Sequence, residues 1–394
     1  MAEIKEMINF AADAKTKRTM FKRILQQLIQ DRSFRHKAII LLGARQVGKT
    51  TLLKEIISEQ REKVLYLNCD EPHTVSALTK RNLEDLKMLV GTNKLIVIDE
   101  AQKVDNVGLT IKLMVDNMPD VQVIATGSSA FELRNRLNEP LTGRKYEYQM
   151  FPISTEEIYK TKGYIDVLKL LETRLIYGSY PDVLNQDEEP KSILNMLMDS
   201  YLYKDILISE NLRKPDVLDR LLRALAFQVG SEVSYNELAQ TVGTDSKTVE
   251  RYVELLEKCF IVFRLNGLSR NLRNELKKAK KIYFYDNGIR NAVIQQFAPL
   301  GIRNDVGALW ENFFISERMK YNHYNGHYCN MYFWRTRSQQ EIDYIEEADG
   351  FMTAFEMKWN PKKGSTSFPK SFMEAYPVAS THVITPENYH NFLM

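Results

Sequence analysis

The sequence predicts an α/β fold: a domain with a parallel sheet, then a helical and winged-helix segment, then a second, smaller α/β unit. Three observations predict it. Short β-branched apolar runs in the first third end in glycine or in carboxylates, the text from about 153 to 230 is helical, and an alternating strand pair flanks Asp349-Gly350. At 394 residues the chain is too long for one ordinary core, so two to four domains are expected. With 44% hydrophobic and 27% charged residues, global disorder is excluded. The net charge of +3 gives no global field toward nucleic acid or anionic lipid, so any such binding must come from local patches. Cys69, Cys259 and Cys329 lie far apart without a CxxC pair, which argues against a disulfide framework or a cysteine zinc site and fits a reducing cytoplasm. The start, MAEIKEMINF, has no continuous apolar core, and no later stretch approaches the length of a membrane span. The expectation is a cytoplasmic protein with no membrane partner.

The first element is Lys37–Leu42, KAIILL, with the composition of a buried parallel strand. GARQVGKT follows and fits GxxxxGK[ST] without adjustment. After it come Leu52, Leu53, Ile56 and Ile57 at helical spacing, so strand, loop and helix stand in the order a phosphate-binding loop requires. The binding residues expected are Gly43, Ala44, Arg45, Gln46, Val47, Gly48, Lys49, Thr50 and Thr51. Glycines let backbone N–H groups curl around phosphate oxygens, and the helix N-terminus adds partial positive charge. Lys49 is expected at the β- and γ-phosphates, Thr50 on Mg²⁺ and Thr51 at the α-phosphate. A second run, LIVIDE, ends in Asp99 and Glu100. Carboxylates at the end of a buried strand are costly unless they serve a cation or hydrogen bonds, so Asp99 suits the Mg²⁺ shell and Glu100 the polarisation of water. A third run, Val121–Ala125, ends in TGSS. It offers the hydroxyls of Thr126, Ser128 and Ser129 as γ-phosphate sensors, with Ser128 slightly favoured; a turn capping the next helix is the other reading.

GARQVGKTT, LIVIDEAQ and VIATGSS together resemble the AAA+ branch of P-loop ATPases. Within it they resemble a prokaryotic group that joins an AAA-type ATPase domain to a C-terminal domain of unknown function. The resemblance covers nearly the whole chain. It implies ATP with Mg²⁺ as the ligand, a homo-oligomer or protein partner, and a five-stranded parallel core in which Val64–Asp70 supplies the strand between phosphate loop and Walker B strand. LTGRKYEYQMFPIS also looks like the group's pattern. It puts Arg144 where an arginine finger or nucleotide-orienting arginine is common, with a surface arginine as the alternative. A small-molecule kinase is the competing P-loop reading, and LIVIDE and TGSS argue against it.

From Ser234 the text reads as two short helices with Gly243 at the turn, the second bearing Val249, Tyr252, Val253 and Leu256 on one face. Phe260–Leu265 follows as a strand and Asn266-Gly267 as its hairpin turn, a winged-helix pattern. The basic stretch 270–281, from Arg270 to Lys281, then suggests DNA phosphates as a partner, with domain packing or a protein contact as the alternative.

Centring a hairpin on Asp349-Gly350 pairs residues whose numbers sum to 699. That sets Asp343 opposite Glu356 and Glu341 opposite Lys358 on one face, with Ile342, Tyr344, Phe355, Met357 and Trp359 on the other. Facing carboxylates repel unless a cation intervenes. Asp343, Glu356 and Lys358, with Glu311 from the preceding helix, resemble the PD-(D/E)xK nuclease signature, although Ile342 stands where that signature often has proline. Lys358 neutralising the carboxylates without a metal is the alternative. Asp286 in KIYFYDNGIRNAV reads as a capped turn.

The expected layout is an ATPase domain over 1–155, a helical lid or linker over 156–230, a winged helix over 231–290 and a nuclease-like domain over 291–394. The expected function is ATP binding and hydrolysis coupled to the C-terminal half, with DNA as a target. A signalling switch that cuts nothing and an active metal-dependent nuclease are the alternatives.

Overall fold

A computed structural model describes residues 20–79, 82–128, 141–185, 189–200, 215–269, 280–336, 338–360, 368–376 and 379–394. The apolar runs become β1 (Ala38–Gly43), β2 (Val64–Asn68), β3 (Leu95–Asp99) and β4 (Gln122–Gly127), joined by β5 (Lys145–Met150). All pair in parallel in the order β2-β3-β4-β1-β5. The three central strands are buried at every residue, while edge strands β2 and β5 are mostly half-buried, which is why only the central ones read as unbroken hydrophobic text. Helix α1 (Ile24–Arg32) packs on α2 (Lys49–Glu59), the helix that follows β1. Gly43, Asp99 and Gly127 all stand at the carboxyl ends of their strands, the edge where open parallel sheets place ligands.

The helical stretch begins with α3 (Thr155–Lys162), whose start is fixed by a reciprocal cap between Ser154 and Glu157. Short helices over 164–169, α4 (Leu171–Tyr177), 181–185 and 190–200 lead to α5 (Pro215–Phe227), with Leu218, Leu221, Leu222 and Leu225 on its buried stripe.

Beyond β6 (Glu232–Val233), helices α6 (Tyr235–Val242) and α7 (Ser246–Lys258) meet at Gly243 with φ 72°. Next are β7 (Val262–Gly267), β8 (Lys280–Phe284), α8 (Asn287–Val293), α9 (Val306–Tyr324) and strands β9 (Asn330–Arg335), β10 (Glu341–Ala348), β11 (Phe351–Met357) and β12 (Ala379–Ile384). These strands form one seven-stranded sheet, β12-β11-β10-β9-β7-β8-β6. The sheet runs across the layout boundary expected at 290, because β7 pairs with β9 through Asn266↔Tyr332 and Gly267↔Phe333.

That pairing corrects the turn expected at Asn266-Gly267. With a second neighbour in β9, β7 continues through both residues, and Leu268 N–H donates to Phe333 O. The link to β8 is residues 268–279, of which 270–279 lie outside the described residues. The hairpin at Asp349-Gly350 has the expected register, from Ala348↔Phe351 to Tyr344↔Phe355. Its faces need a correction. A bulge between Ile342 and Ile345 in the β10–β9 ladder turns Ile342 to the small cluster of Trp334, Ile345, Ala354 and Phe372, whereas Tyr344, Phe355 and Met357 enter the main core.

The main cluster of buried side chains is continuous from Phe21 to Leu393 and spans both sheets. Helix α9 contributes to that continuity. It packs on β8 and β11, and its last turn reaches the first sheet, where Tyr324 Oη accepts from Phe151 N–H at 3.0 Å and His323 Nε2 from Gln149 N–H at 3.1 Å.

Candidate nucleotide site and the carboxylate–lysine cluster

The turn from β1 into α2 is set by glycine. A Cβ on Gly43 would stand 2.4 Å from the Met150 carbonyl oxygen of β5, and Gly48, at φ 98°, closes the loop before the helix. Ala44 and Val47 are buried anchors, while Arg45, Gln46, Gly48, Lys49, Thr50 and Thr51 line a cleft of about 470 Å³ together with Asp70, Glu100 and Lys103. Lys49 Nζ is folded back on the loop, donating to the carbonyls of Gly43 and Ala44 at 2.8 Å each.

Asp99 is buried at the end of β3 and accepts from three hydroxyls: Thr50 at 3.0 Å, Tyr66 at 2.6 Å and Thr126 at 2.5 Å. Burial, then the Asp99 carboxylate, pushes the Tyr66 phenol well above its ordinary range, so it stays a donor. Burial with the same carboxylates raises the Cys69 thiol to about 12, which makes it a packing residue and not a nucleophile. Glu100 sits in the left-handed region at φ 54°. Its N–H donates to Thr126 Oγ1 at 3.1 Å, and its Oε2 accepts from Gln102 Nε2 at 2.5 Å and Ser128 Oγ at 3.2 Å. Phosphate loop, Walker B pair and sensor strand thus meet at one sheet edge. Beside them, sharing Gly48, Thr51 and Asp182 with the cleft, is a more apolar cavity of about 220 Å³ walled by Phe21, Val47, Leu52, Met150 and Ile153.

The donor set fits a magnesium nucleotide: a hydroxyl and a carboxylate 3.0 Å apart, a lysine and a helix N-terminus round the same cleft. Arg144 departs from expectation. Its carbonyl accepts from Ala38 N–H at the amino end of β1, the far end of that strand from Gly43, and its guanidinium pairs with Asp116 at 2.6 Å. Strand polarity therefore keeps it from orienting the nucleotide of its own chain. Ser129 lies outside the described residues.

The four acidic and basic residues expected in the C-terminal half do come together, with a residue the sequence reading assigned elsewhere. Lys281 of β8, 1% exposed, puts its Nζ 3.1 Å from Glu311 of α9 and 2.5 Å from Glu341 of β10. It is therefore not on a phosphate-tracking surface. Lys280 beside it lies 3.7 Å from Glu250 and over the Tyr235 ring. Asp343 accepts from Met357 N–H at 2.9 Å, its carboxylate capping the ladder where the bulge interrupts it, and Lys358 pairs with Glu356 at 2.6 Å. Tyr283 Oη donates to Glu311 at 2.6 Å. Burial, then the Asp343 charge, raises Glu311 to about 7 even though Lys281 and Tyr283 oppose the shift. Asp343 and Glu356 are raised too, by burial above all. Burial pulls Lys281 down, but Glu311, Asp343 and Glu341 outweigh it and hold the ammonium charged. Among the described residues no group of three or more histidine, cysteine, aspartate or glutamate side chains is arranged to hold a metal ion.

Other residues singled out have structural roles. Asp286 caps α8 through Gly288 and Ile289 N–H and also takes Ser179 N–H at 2.7 Å. On α9, Glu317 accepts from Thr155 and Arg174 of the helical segment and from Lys320. Gln102, Tyr66, Tyr283 and Lys281 were missed by sequence reasoning. Gln102 had a signal in the LIVIDEAQ text; nothing local marks the other three.

Family models match the chain in three pieces: an AAA domain over residues 35–159, a domain of unknown function (DUF8612) over 168–301, and another (DUF4143) over 306–391. An uncharacterised protein of Haemophilus influenzae is 28% identical over 293 residues, covering 68% of this chain and 72% of its own. One of Mycobacterium tuberculosis is 24% identical over 332 residues, covering 82% and 71%. Among solved structures, the Walker-type ATPase PABY2304 of Pyrococcus abyssi is 16% identical, with a TM-score of 0.49 over 71% of this chain and 97% of that one. The chain thus contains a P-loop ATPase domain of the AAA type. No helix among the described residues is long and apolar enough to cross a membrane.

Proposed function

We propose that this protein binds ATP with Mg²⁺ in the cleft at 43–51, hydrolyses it, and transmits the nucleotide state to its C-terminal half. The observation that supports hydrolysis most is the convergence of Thr50, Asp99, Glu100 and Ser128 at the carboxyl edge of one sheet. Lys49 turns from the loop carbonyls to the phosphate oxygens, as its three-donor ammonium and flexible stem allow. Mg²⁺, held by Thr50 with Asp99 behind it, supplies charge neutralisation. Glu100 accepts a proton from water as oxygen adds to the γ-phosphorus and the bond to the β,γ-bridging oxygen breaks, giving ADP and phosphate. The apolar cavity beside Thr51 fits a flat purine, with Asp182 at its polar side.

Lys49→Ala should abolish nucleotide binding in a fluorescent-ATP titration, and Glu100→Gln should retain ATP while turnover falls about 10²- to 10⁴-fold. Normal ATP binding by Lys49→Ala overturns the assignment.

For the coupling, the support is α9, which bonds to β5, the neighbour of the phosphate-loop strand, and also carries Glu311 into the C-terminal cluster. We read residues 1–155 as the motor, 156–230 as its helical lid and 231–394 as the responding half, with the winged helix and nuclease-like units sharing one sheet. Lys281 and Lys358 pairing with the carboxylates favours a responder that does not cut over an active nuclease. Incubating the protein with DNA, Mg²⁺ and ATP should leave the DNA intact; cleavage abolished by Asp343→Ala reverses that reading. ATP turnover with and without DNA decides whether DNA or a protein is the partner.

A further inference from the structure

We infer that Gln102 is a positioning residue which locks Glu100 to Ser128 until a γ-phosphate arrives, so that hydrolysis is switched on by the triphosphate itself. The inference rests on the ATPase reading above. Gln102 follows Glu100 by two residues in the single turn after β3 and is buried. Its Nε2 bridges the two side chains, donating to Glu100 Oε2 at 2.5 Å and to Ser128 Oγ at 3.0 Å. The third side of the triangle is the Ser128 hydroxyl, which donates to the same Glu100 oxygen at 3.2 Å.

The donor inventory makes this triangle a switch. An amide nitrogen carries two protons, and both point at named acceptors here; a serine hydroxyl carries one, and it is directed to Glu100. A γ-phosphate offers acceptors only. Ser128 can therefore sense it only by rotating its single proton off Glu100 Oε2. That rotation leaves the carboxylate oxygen with one donor fewer and a lone pair open to a proton of water. Gln102 is the member that need not move: it holds Glu100 by one proton and Ser128 by the other in both states. With ADP there is no γ-phosphate to turn the hydroxyl, and Glu100 remains saturated. A parallel link fixes the backbone. Thr126 Oγ1 accepts from Glu100 N–H and donates to Asp99, so β3 and β4 stay in register while the hydroxyl turns.

The test is a double-mutant cycle on the full chain: Gln102→Met, Ser128→Ala and both together, measuring kcat and the Kd for a fluorescent ATP analogue. Each single substitution should lower kcat about tenfold to a hundredfold and leave Kd within about twofold, since positioning and not ground-state binding is lost. Because both act through one triangle, the double variant should be no slower than the slower single one. Losses that multiply, or a Gln102→Met enzyme as fast as wild type, overturn the proposal. If Gln102→Met does not fold, Gln102→Asn, which withdraws the amide by one methylene, takes its place with the same two outcomes. A wild-type protein that binds the analogue but shows no more turnover than Glu100→Gln overturns the ATPase reading and this proposal together. A wild-type protein that turns over beside a silent Gln102 overturns this proposal alone.

Discussion

Two buried lysines separate the halves of this molecule. Lys49 donates to carbonyls five and six residues away in its own loop, and Lys281 pairs with glutamates thirty and sixty residues further along the chain. Lys49 borders an open cleft at a helix N-terminus, a setting that attracts an anion from solution. Lys281 is enclosed by carboxylates that the fold itself delivers from α9 and β10. The same side chain is thus a ligand-binding device in one half and an internal counter-ion in the other. Whether the counter-charge comes from outside or inside the chain decides which.

The sharpest way to break this comparison is to remove each ammonium in turn. Lys281→Met should destabilise the fold by about 3 kcal/mol, the low end for a buried pair because Glu341 is partly exposed, and leave nucleotide affinity unchanged in a titration. Lys49→Met should do the reverse, with stability lowered by about 1 kcal/mol for two neutral hydrogen bonds and ATP binding lost. Urea melts and a nucleotide titration on both variants check this; exchanged results would mean that the two roles are swapped.

A smaller effect is expected from acid. Glu311, raised to about 7 from an ordinary 4.5, keeps its proton in the folded chain when the unfolded chain has lost it. Folding stability from this group therefore declines as pH rises from 4.5 to 7, by about 1 kcal/mol per unit at most. Glu317, two turns along α9, is held near 2 because Arg174 and Lys320 outweigh its burial. Its contribution is full above 4.5 and is lost as pH falls toward 2. Urea melts at pH 5 and 7.5 should show the first slope in the wild type and not in Glu311→Gln; an unchanged slope would mean that the cluster's charges are arranged otherwise.

The smallest effect concerns Arg144. Its exposed pair with Asp116 should cost under about 1 kcal/mol on Arg144→Ala. The nucleotide Kd of the monomeric chain should not move, since strand polarity puts the residue at the other end of β1. A weaker Kd at concentrations where the chain is monomeric would contradict that placement.

The sequence by itself determined the phosphate loop, the four strands read as apolar runs, the caps at Asp286 and in the helices, and the register of the Asp349-Gly350 hairpin. Each is specified within about ten residues: by β-branched runs buried on both faces, by glycines needed for a close approach, and by a turn whose centre fixes every pair beyond it. The tertiary structure decided what distant segments supply to one another. It extended β7 through Asn266-Gly267 by giving it a partner in β9, and it turned Ile342 away from Tyr344 by a bulge. It also took Lys281 from an expected basic surface into a carboxylate cluster and set Tyr66 on Asp99. A lone lysine or tyrosine carries no local mark of its partner. The energy that places it is the cost of leaving a buried charge or hydroxyl unmatched, and that cost exists only once the sheets have closed around it.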